Sequence, residues 1–493
     1  MNDLTDYTQP LQPNAIDIRT EYLEPITSSN FKYVFRLDQM GYLDTNSMLT
    51  FKLQGGDSEQ RVNMWNGALG GIKRVIFQVG DNIINDVRDV YKYSTLKNMN
   101  MNPNMRNGYL GHYLGNQLWS VVKKTANQKY RSLDQNLTTA TGGKVGNIEV
   151  EGGRSGAFVG KLDGSGGQRI NSGAIYADKA NNRQYGIPLG MLIPALKGQR
   201  IPLFLFDKQR ILITVEFNGA TKYINHLNAA GIAYNAAGTG LATSDTAITP
   251  AEVRLVIDYL IVPTDTQNEI VEQTNKQGGY KLEFYDVVNV EKNIPQGSNG
   301  QLQTVEHRIG QNGREVHNII MWKEVDKSSM DNSGNNHRGG ALFGAQACKG
   351  FSREEYNCNI DGVDLFDEKK FNPVAQYNEL SVVLGKDLMV DRPLYICDDN
   401  TYQSDISMLE NGAVGNFKPL GVSLRNGEPL IVGGGREIGN YPIIWKYQRQ
   451  CNNAVLNNSP RDDHAVKVNY FIEVSRVASI MATAKGMNVM VSY

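Results

Sequence analysis

Asp462-Asp463-His464 is the most enzyme-like grouping in the chain, because a carboxylate beside an imidazole can orient a general base. It follows Asn457-Asn458-Ser459-Pro460-Arg461 and runs straight into an alternating strand, so the pattern predicts a solvated turn. Glu354-Glu355 and Asp398-Asp399 are paired acids of the kind glycoside hydrolysis uses. Adjacent residues on a strand point to opposite faces, however, and both pairs read as surface acids. A nucleotide loop needs GxxxxGKS or GxxxxGKT, since backbone amides cradle phosphate and the hydroxyl holds magnesium. Gly143-Lys144-Val145 and Gly160-Lys161-Leu162 lack that hydroxyl, and Gly433-Gly434-Gly435 with Gly439 misses the GxGxxG spacing and reads as a hairpin or loop. The six histidines (His112, His226, His307, His317, His337, His464) contain neither HExxH nor an i, i+4 pair. The four cysteines (Cys348, Cys358, Cys397, Cys451) form no CxxC and read as reduced packing residues. The expectation is no catalytic residue, no cofactor site and no metal site.

The elements that would have to position such groups are mainly strands. Phe31, Tyr33, Phe35 and Leu37 oppose Lys32 and Arg36, and Ile211, Ile213, Val215 and Phe217 oppose Arg210, Thr214 and Glu216. The same two-residue period recurs in Val253, Leu255, Ile257, Tyr259 and Ile261, and in Val466, Val468, Tyr470, Ile472 and Val474 opposed by Lys467, Asn469 and Glu473. Each pattern predicts a sheet with one wet face. Helices are expected only over Asp86–Leu96, His112–Thr125 and Thr264–Asn275, the last behind Pro263. A polar Gly-rich stretch over Thr138–Gly173 predicts a long exposed loop, and Lys327–Gly340 occupies a comparable place in the second half. Few helices and many turn-bounded strands favour an antiparallel sandwich over alternating βαβ units.

The bulk numbers set the scale. With 493 residues the chain is long enough for several compact units, and 40% hydrophobic residues can build cores. Its 50 Lys and Arg against 51 Asp and Glu give a net charge of -1, which excludes a bulk attraction to nucleic acid or anionic lipid. The polar start Met1-Asn2-Asp3-Leu4-Thr5-Asp6 lacks an export pattern, and apolar runs such as Ile201–Phe206 fall far short of the roughly 20 residues that span a bilayer. A soluble chain is expected.

Several segments, in order, carry a resemblance. Trp65 to Asp81 (WNGALGGIKRVIFQVGD), with a helix expected over Val87–Leu96, is similar to a family segment in which a strand ends at Gly before a helix. Ile187-Pro188-Leu189-Gly190-Met191-Leu192-Ile193-Pro194, then Arg200-Ile201-Pro202-Leu203 and Arg210-Ile211-Leu212-Ile213, resemble the family's paired Pro-Leu block and its following strand. Asp258 to Glu269 resembles the end of a first roll and its linker helix; Arg314 to Trp322 resembles an early strand of a second roll. Asn469 to Val477, with Gly486-Met487-Asn488-Val489, resembles its terminus. Together they resemble the double jelly-roll major capsid proteins of the adenovirus-hexon lineage, found in large eukaryotic DNA viruses, polinton-like viruses and virophages. Residues between Lys349 and Tyr441 match that pattern only generally.

The resemblance implies an all-β fold of two consecutive eight-stranded antiparallel jelly rolls with a few short connecting helices. It divides the chain into an N-terminal arm (1–27), a first roll (28–263), a linker helix (264–279) and a second roll (280–493). It implies a structural protein of an icosahedral virion, assembled inside the host cell, that trimerises into pseudo-hexagonal capsomers. The implied partners are two further copies, neighbouring capsomers, minor capsid and penton proteins, and an internal membrane reached by the arm, with no specific nucleic-acid binding. The rival readings are a jelly-roll carbohydrate-active enzyme, which would need converging carboxylates, and a carbohydrate-binding attachment protein, which would need exposed aromatic platforms.

Overall fold

The computed structural model describes residues 17–29, 31–55, 60–63, 67–99, 113–114, 122–124, 148–150, 167–169, 184–206, 209–218, 224–226, 248–325, 354–369, 373–384, 419–425, 434–451, 463, 465–483 and 486–492. Its architecture is two β-sandwiches in chain order, each made of two facing antiparallel sheets. In the first, one sheet has the order Tyr185–Pro188, Met48–Gly55, Ile248–Ile261, Tyr42–Leu43, Ile201–Pro202. The facing sheet runs Thr27–Ser29, Lys32–Leu37, Ile211–Phe217, Ile72–Val79, Asn82–Arg88. In the second, Tyr280–Ile294, Val466–Thr483, Glu315–Val325 and Leu420–Ser423 form one sheet, with Arg436–Glu437 and Gly486–Ser492 at its margins. Leu302–Gly310, Ile443–Gln450, Glu354–Ile360 and Val363–Asp364 form the other.

The alternating patterns do what their period dictates. In Ile211–Phe217 every odd position is buried and every even one is half-buried, so Ile213 sits at zero exposure between Phe35 and Phe77 on the flanking strands. Gly41 shows why one turn needs glycine: its φ is +56°, and a Cβ there would lie 2.1 Å from the Leu260 carbonyl oxygen. Gly421 lets the helix Pro373–Leu384 lie on its sheet, because a Cβ would meet Leu380 and Val383 at 3.1 and 3.2 Å.

The helices depart from expectation in four places. Asp86 is not in a helix: Gly80-Asp81 closes a two-residue hairpin onto the strand Asn82–Arg88, and the helix begins only at Val90 and runs to Met99. The bidentate Arg74–Asp86 pair across that hairpin (2.6 and 2.7 Å) shows what Asp86 does instead. The helix expected to reach Thr125 does not, because Val122–Lys124 pairs as a strand with Ile148–Val150. That pairing, and Gly167–Arg169 on Gln60–Asn63, also places two short strands inside the expected Thr138–Gly173 loop. Pro373–Leu384 is a helix that was not foreseen, although Pro at its first position is a helix-start signal. The connector Thr264–Lys276 ends one residue beyond its expected limit.

The arm expected over residues 1–27 is an edge strand in its later part. Asp17–Leu23 pairs antiparallel with Leu255–Ile261, and Thr27–Ser29 pairs with Lys32–Val34. Residues 1–16 and Lys327–Gly340 lie outside the described residues.

Candidate functional site: a polar seam between the two sandwiches

The strand Val466–Thr483 carries the largest departure from the one-wet-face expectation. Val468, Tyr470, Ile472 and Val474 fill the second sandwich's own core, as the alternation requires. The opposite positions Asn469, Phe471 and Glu473 are also buried, at 0, 0 and 3% exposure. Phe471 and Glu473 are covered by the first half of the chain, through Tyr93 and Lys97, and Asn469 faces Asn289. The apolar cluster of the first sandwich continues without a break into Tyr280, Leu282, Phe284, Val287, Ile320, Trp322, Phe471 and Ile480 of the second half.

Three polar assemblies cross this seam. In the first, the Ala195 amide donates to Asn85 Oδ1 (3.2 Å), and Asn85 Nδ2 donates to Asp286 Oδ1 (2.9 Å). Arg476 Nη1 donates to Asp286 Oδ2 (2.6 Å) and to the Ile84 carbonyl (3.0 Å). In the second, Glu473 Oε1 accepts from Tyr93 Oη and pairs with Lys97 Nζ, both at 2.6 Å. Its Oε2 accepts from Asn318 Nδ2 and faces Arg425 at 3.6 Å. In the third, Lys92 Nζ pairs with Glu324 (3.1 Å) and Asn289 Nδ2 donates to Asp89 (2.8 Å).

The electrostatics follow from these contacts. Burial by itself raises the Glu473 carboxyl, but the charge of Lys97 and hydrogen bonds from Lys97, Tyr93 and Asn318 bring it down to about 2. Burial, then the neighbouring Glu473 charge, pushes the Tyr93 phenol well above its usual range. His317 lies against Ser475 Oγ (2.6 Å) and edge-on to Tyr285, and burial lowers its pKa; burial also lowers that of His307, which faces Tyr470 Oη at 2.8 Å. Each seam carboxylate is engaged by cations or amides from the other half, which suits a structural joint rather than proton transfer to a substrate.

The residues singled out for chemistry are dispersed. Glu354 is not a surface acid: it is fully buried, pairs with Lys323, and accepts from Tyr447 Oη at 2.7 Å, while Glu355 is half-buried on the other face. The two acids do take opposite faces, but the side of Glu354 is the inward one, which it shares with Tyr356, Cys358 and Ile360. Asp463 is buried rather than solvated, and its carbonyl accepts from the Gly297 amide at 2.8 Å. Asp462, His464, Asp398 and Asp399 lie outside the described residues. Cys358 and Cys451 are buried, and burial pushes the Cys358 thiol up to about 12; Cys348 and Cys397 lie outside the described residues. Among the described residues no group of three or more His, Cys, Asp or Glu could hold a metal ion, and no helix is long and apolar enough to cross a membrane.

No family model matches the sequence, and neither does any curated protein. Solved structures do match. VP54 of PBCV-1, fitted into a reconstruction of the virophage Sputnik, superposes with a TM-score of 0.55 at 11% identity, covering 99% of this chain and 100% of that one. The PBCV-1 capsid quasi-atomic model gives 0.53 at 9% identity over 99% and 100%. The Sputnik virophage structure gives 0.52 at 8% identity over 97% and 88%. From end to end, the chain has the double jelly-roll fold of these viral capsid proteins.

Proposed function

We propose that the chain is a major capsid protein whose trimers form pseudo-hexagonal capsomers and tile the facets of an icosahedral virion. The observation that carries this reading is the end-to-end match to a two-roll fold, 99% of this chain against 100% of PBCV-1 VP54. The seam supports it. A shell subunit must present two rolls in a fixed mutual orientation, and a joint sealed by apolar packing and crossed by buried ion pairs resists hinge motion. In this reading residues 28–263 and 280–493 are the rolls, 264–279 link them, and residues 17–23 stay with the first roll. Three chains supply six similar edges, and roll one of each subunit meets roll two of the next in a heterologous ring that closes. Neighbouring capsomers, minor capsid and penton proteins are the partners of that ring. Of the paired acids that the carbohydrate-enzyme alternative would need, Glu354 is taken up by Lys323 in the core.

Light scattering on the purified chain tests the trimer. The expected mass is about three times the 54.7 kDa of one chain, with hexagonal outlines in negative stain. A monomer or dimer at micromolar concentration, without hexagonal particles, overturns the capsomer reading.

A further inference from the structure

Lys323 and Glu354 belong to the two facing sheets of the second sandwich, Lys323 on Glu315–Val325 and Glu354 on Glu354–Ile360. Their side chains meet across the core in an ion pair, and both have zero exposure. The other buried lysine–carboxylate pairs differ, since Glu324 in its pair with Lys92 is 10% exposed and Lys97 in its pair with Glu473 is 22% exposed. Around the Lys323–Glu354 contact, Tyr447 supplies two things. Its ring lies 5.6 Å from Lys323 Nζ, and its hydroxyl donates to Glu354 Oε1, the oxygen that Lys323 also approaches.

We propose that Lys323 and Glu354 condense into an isopeptide bond that covalently ties the two sheets of the second roll. In water an ammonium and a carboxylate are favoured over an amide because both ions are well hydrated. Inside a dry core that advantage is lost, while a neutral amide needs only ordinary hydrogen bonds. Holding amine and carboxyl in contact also removes the entropic cost of bringing them together, an effective molarity that reaches about 10⁵ M or more in well-oriented intramolecular reactions.

The step balances without an outside reagent. A proton passes from the Lys323 ammonium to the Glu354 carboxylate, giving a neutral amine and a carboxylic acid. The Nζ lone pair then attacks Cδ and forms the C–N bond. The C–Oε1 bond breaks, with the departing oxygen held by the Tyr447 hydroxyl, and a second Nζ proton completes one molecule of water. Nothing is oxidised or reduced. The product is a secondary amide linking residues 31 positions apart in sequence. It would supply the covalent bracing that a disulfide supplies elsewhere.

Mass spectrometry of the full-length protein, purified folded and then denatured, tests the bond. The intact mass should be one water below the sequence mass. Trypsin should leave Lys323 uncut and yield peptide 315–327 joined to peptide 354–369 through Lys323 and Glu354. Lys323→Met, which keeps the stem without the amine, should have the mass of its own sequence and no branched peptide. An unmodified wild-type mass overturns the proposal even if the variant fails to fold. So does a missing water located at Asp361-Gly362 in peptide 354–369 as a cyclic imide, or one that persists in Lys323→Met.

Discussion

Ile211–Phe217 and Val466–Thr483 carry the same alternating pattern, yet their second faces meet different fates. The even positions of the first strand, Leu212, Thr214 and Glu216, remain half-buried at the surface of their sheet. The corresponding face of the second strand, Asn469, Phe471 and Glu473, is buried, with Phe471 and Glu473 sealed under the first half of the chain. A glutamate on an alternating strand is therefore a surface group in one place and the centre of a buried ion cluster in the other. Periodicity reports which residues share a face, and it is silent about what a second sandwich does to the face left over.

Substitutions on the inward faces should hit both strands equally hard. Ile213→Asp and Ile472→Asp each bury a carboxylate without a partner, and each should cost more than about 3 kcal/mol in urea unfolding or leave the protein insoluble. A soluble Ile472→Asp with normal stability would show that the second roll's core is not packed as described.

The outward faces should separate the strands. Glu473→Ala strands Lys97 and removes the acceptor for Tyr93 and Asn318, a loss expected to cost about 3–5 kcal/mol. Glu216→Ala removes only a 3.9 Å contact to Arg74 near the surface and should cost under about 1 kcal/mol. Equal costs in parallel urea titrations would mean that the seam is open to water and the contrast false.

Acid should sharpen the same contrast. Glu473 has a folded pKa of about 2 against an ordinary 4.5, so its contribution is complete above 4.5 and is lost as pH falls through about 2. The span corresponds to about 3 kcal/mol. His317 and His307 are held below 6.5 by burial, so they too favour the fold above 6.5 and weaken it as the pH drops beneath that value. Thermal unfolding from pH 7 downward should therefore weaken first below 6.5 and again below 4.5. In Glu473→Gln the lower phase should shrink while the upper one stays, and an unchanged lower phase would assign it to other paired carboxylates such as Asp86 and Glu291.

Much of the fold was legible in the residues. Alternation located the strands around Ile213, Ile257 and Ile472, and Pro263 marked the connector helix. At Asp86 and Val87 the local pattern is ambiguous, since Ile83, Ile84 and Val87 suit a helix face as well as a strand, and only the pairing with Arg74 to Val79 chooses between them. Helix Pro373–Leu384 was hidden by its β-branched Val382 and Val383, which locally favour a strand and are held helical by packing on Leu420–Ser423. The seam was not legible at all. Tyr93 and Lys97 stand 380 and 376 positions from Glu473, and no local pattern records a contact of that separation.

The sequence by itself determined the two-residue period of the strands, the absence of motifs for nucleotide or zinc chemistry, and the division into two strand-rich halves. Those are local properties, set by which side chains tolerate an extended backbone and by which spacings a ligand demands. Tertiary structure alone decided that Glu354 faces inward to Lys323, and that Asn469 and Glu473 leave water. Whether a polar side chain is buried depends on what packs over it, and its partners arrive from distant elements whose approach is fixed only when both sandwiches have formed.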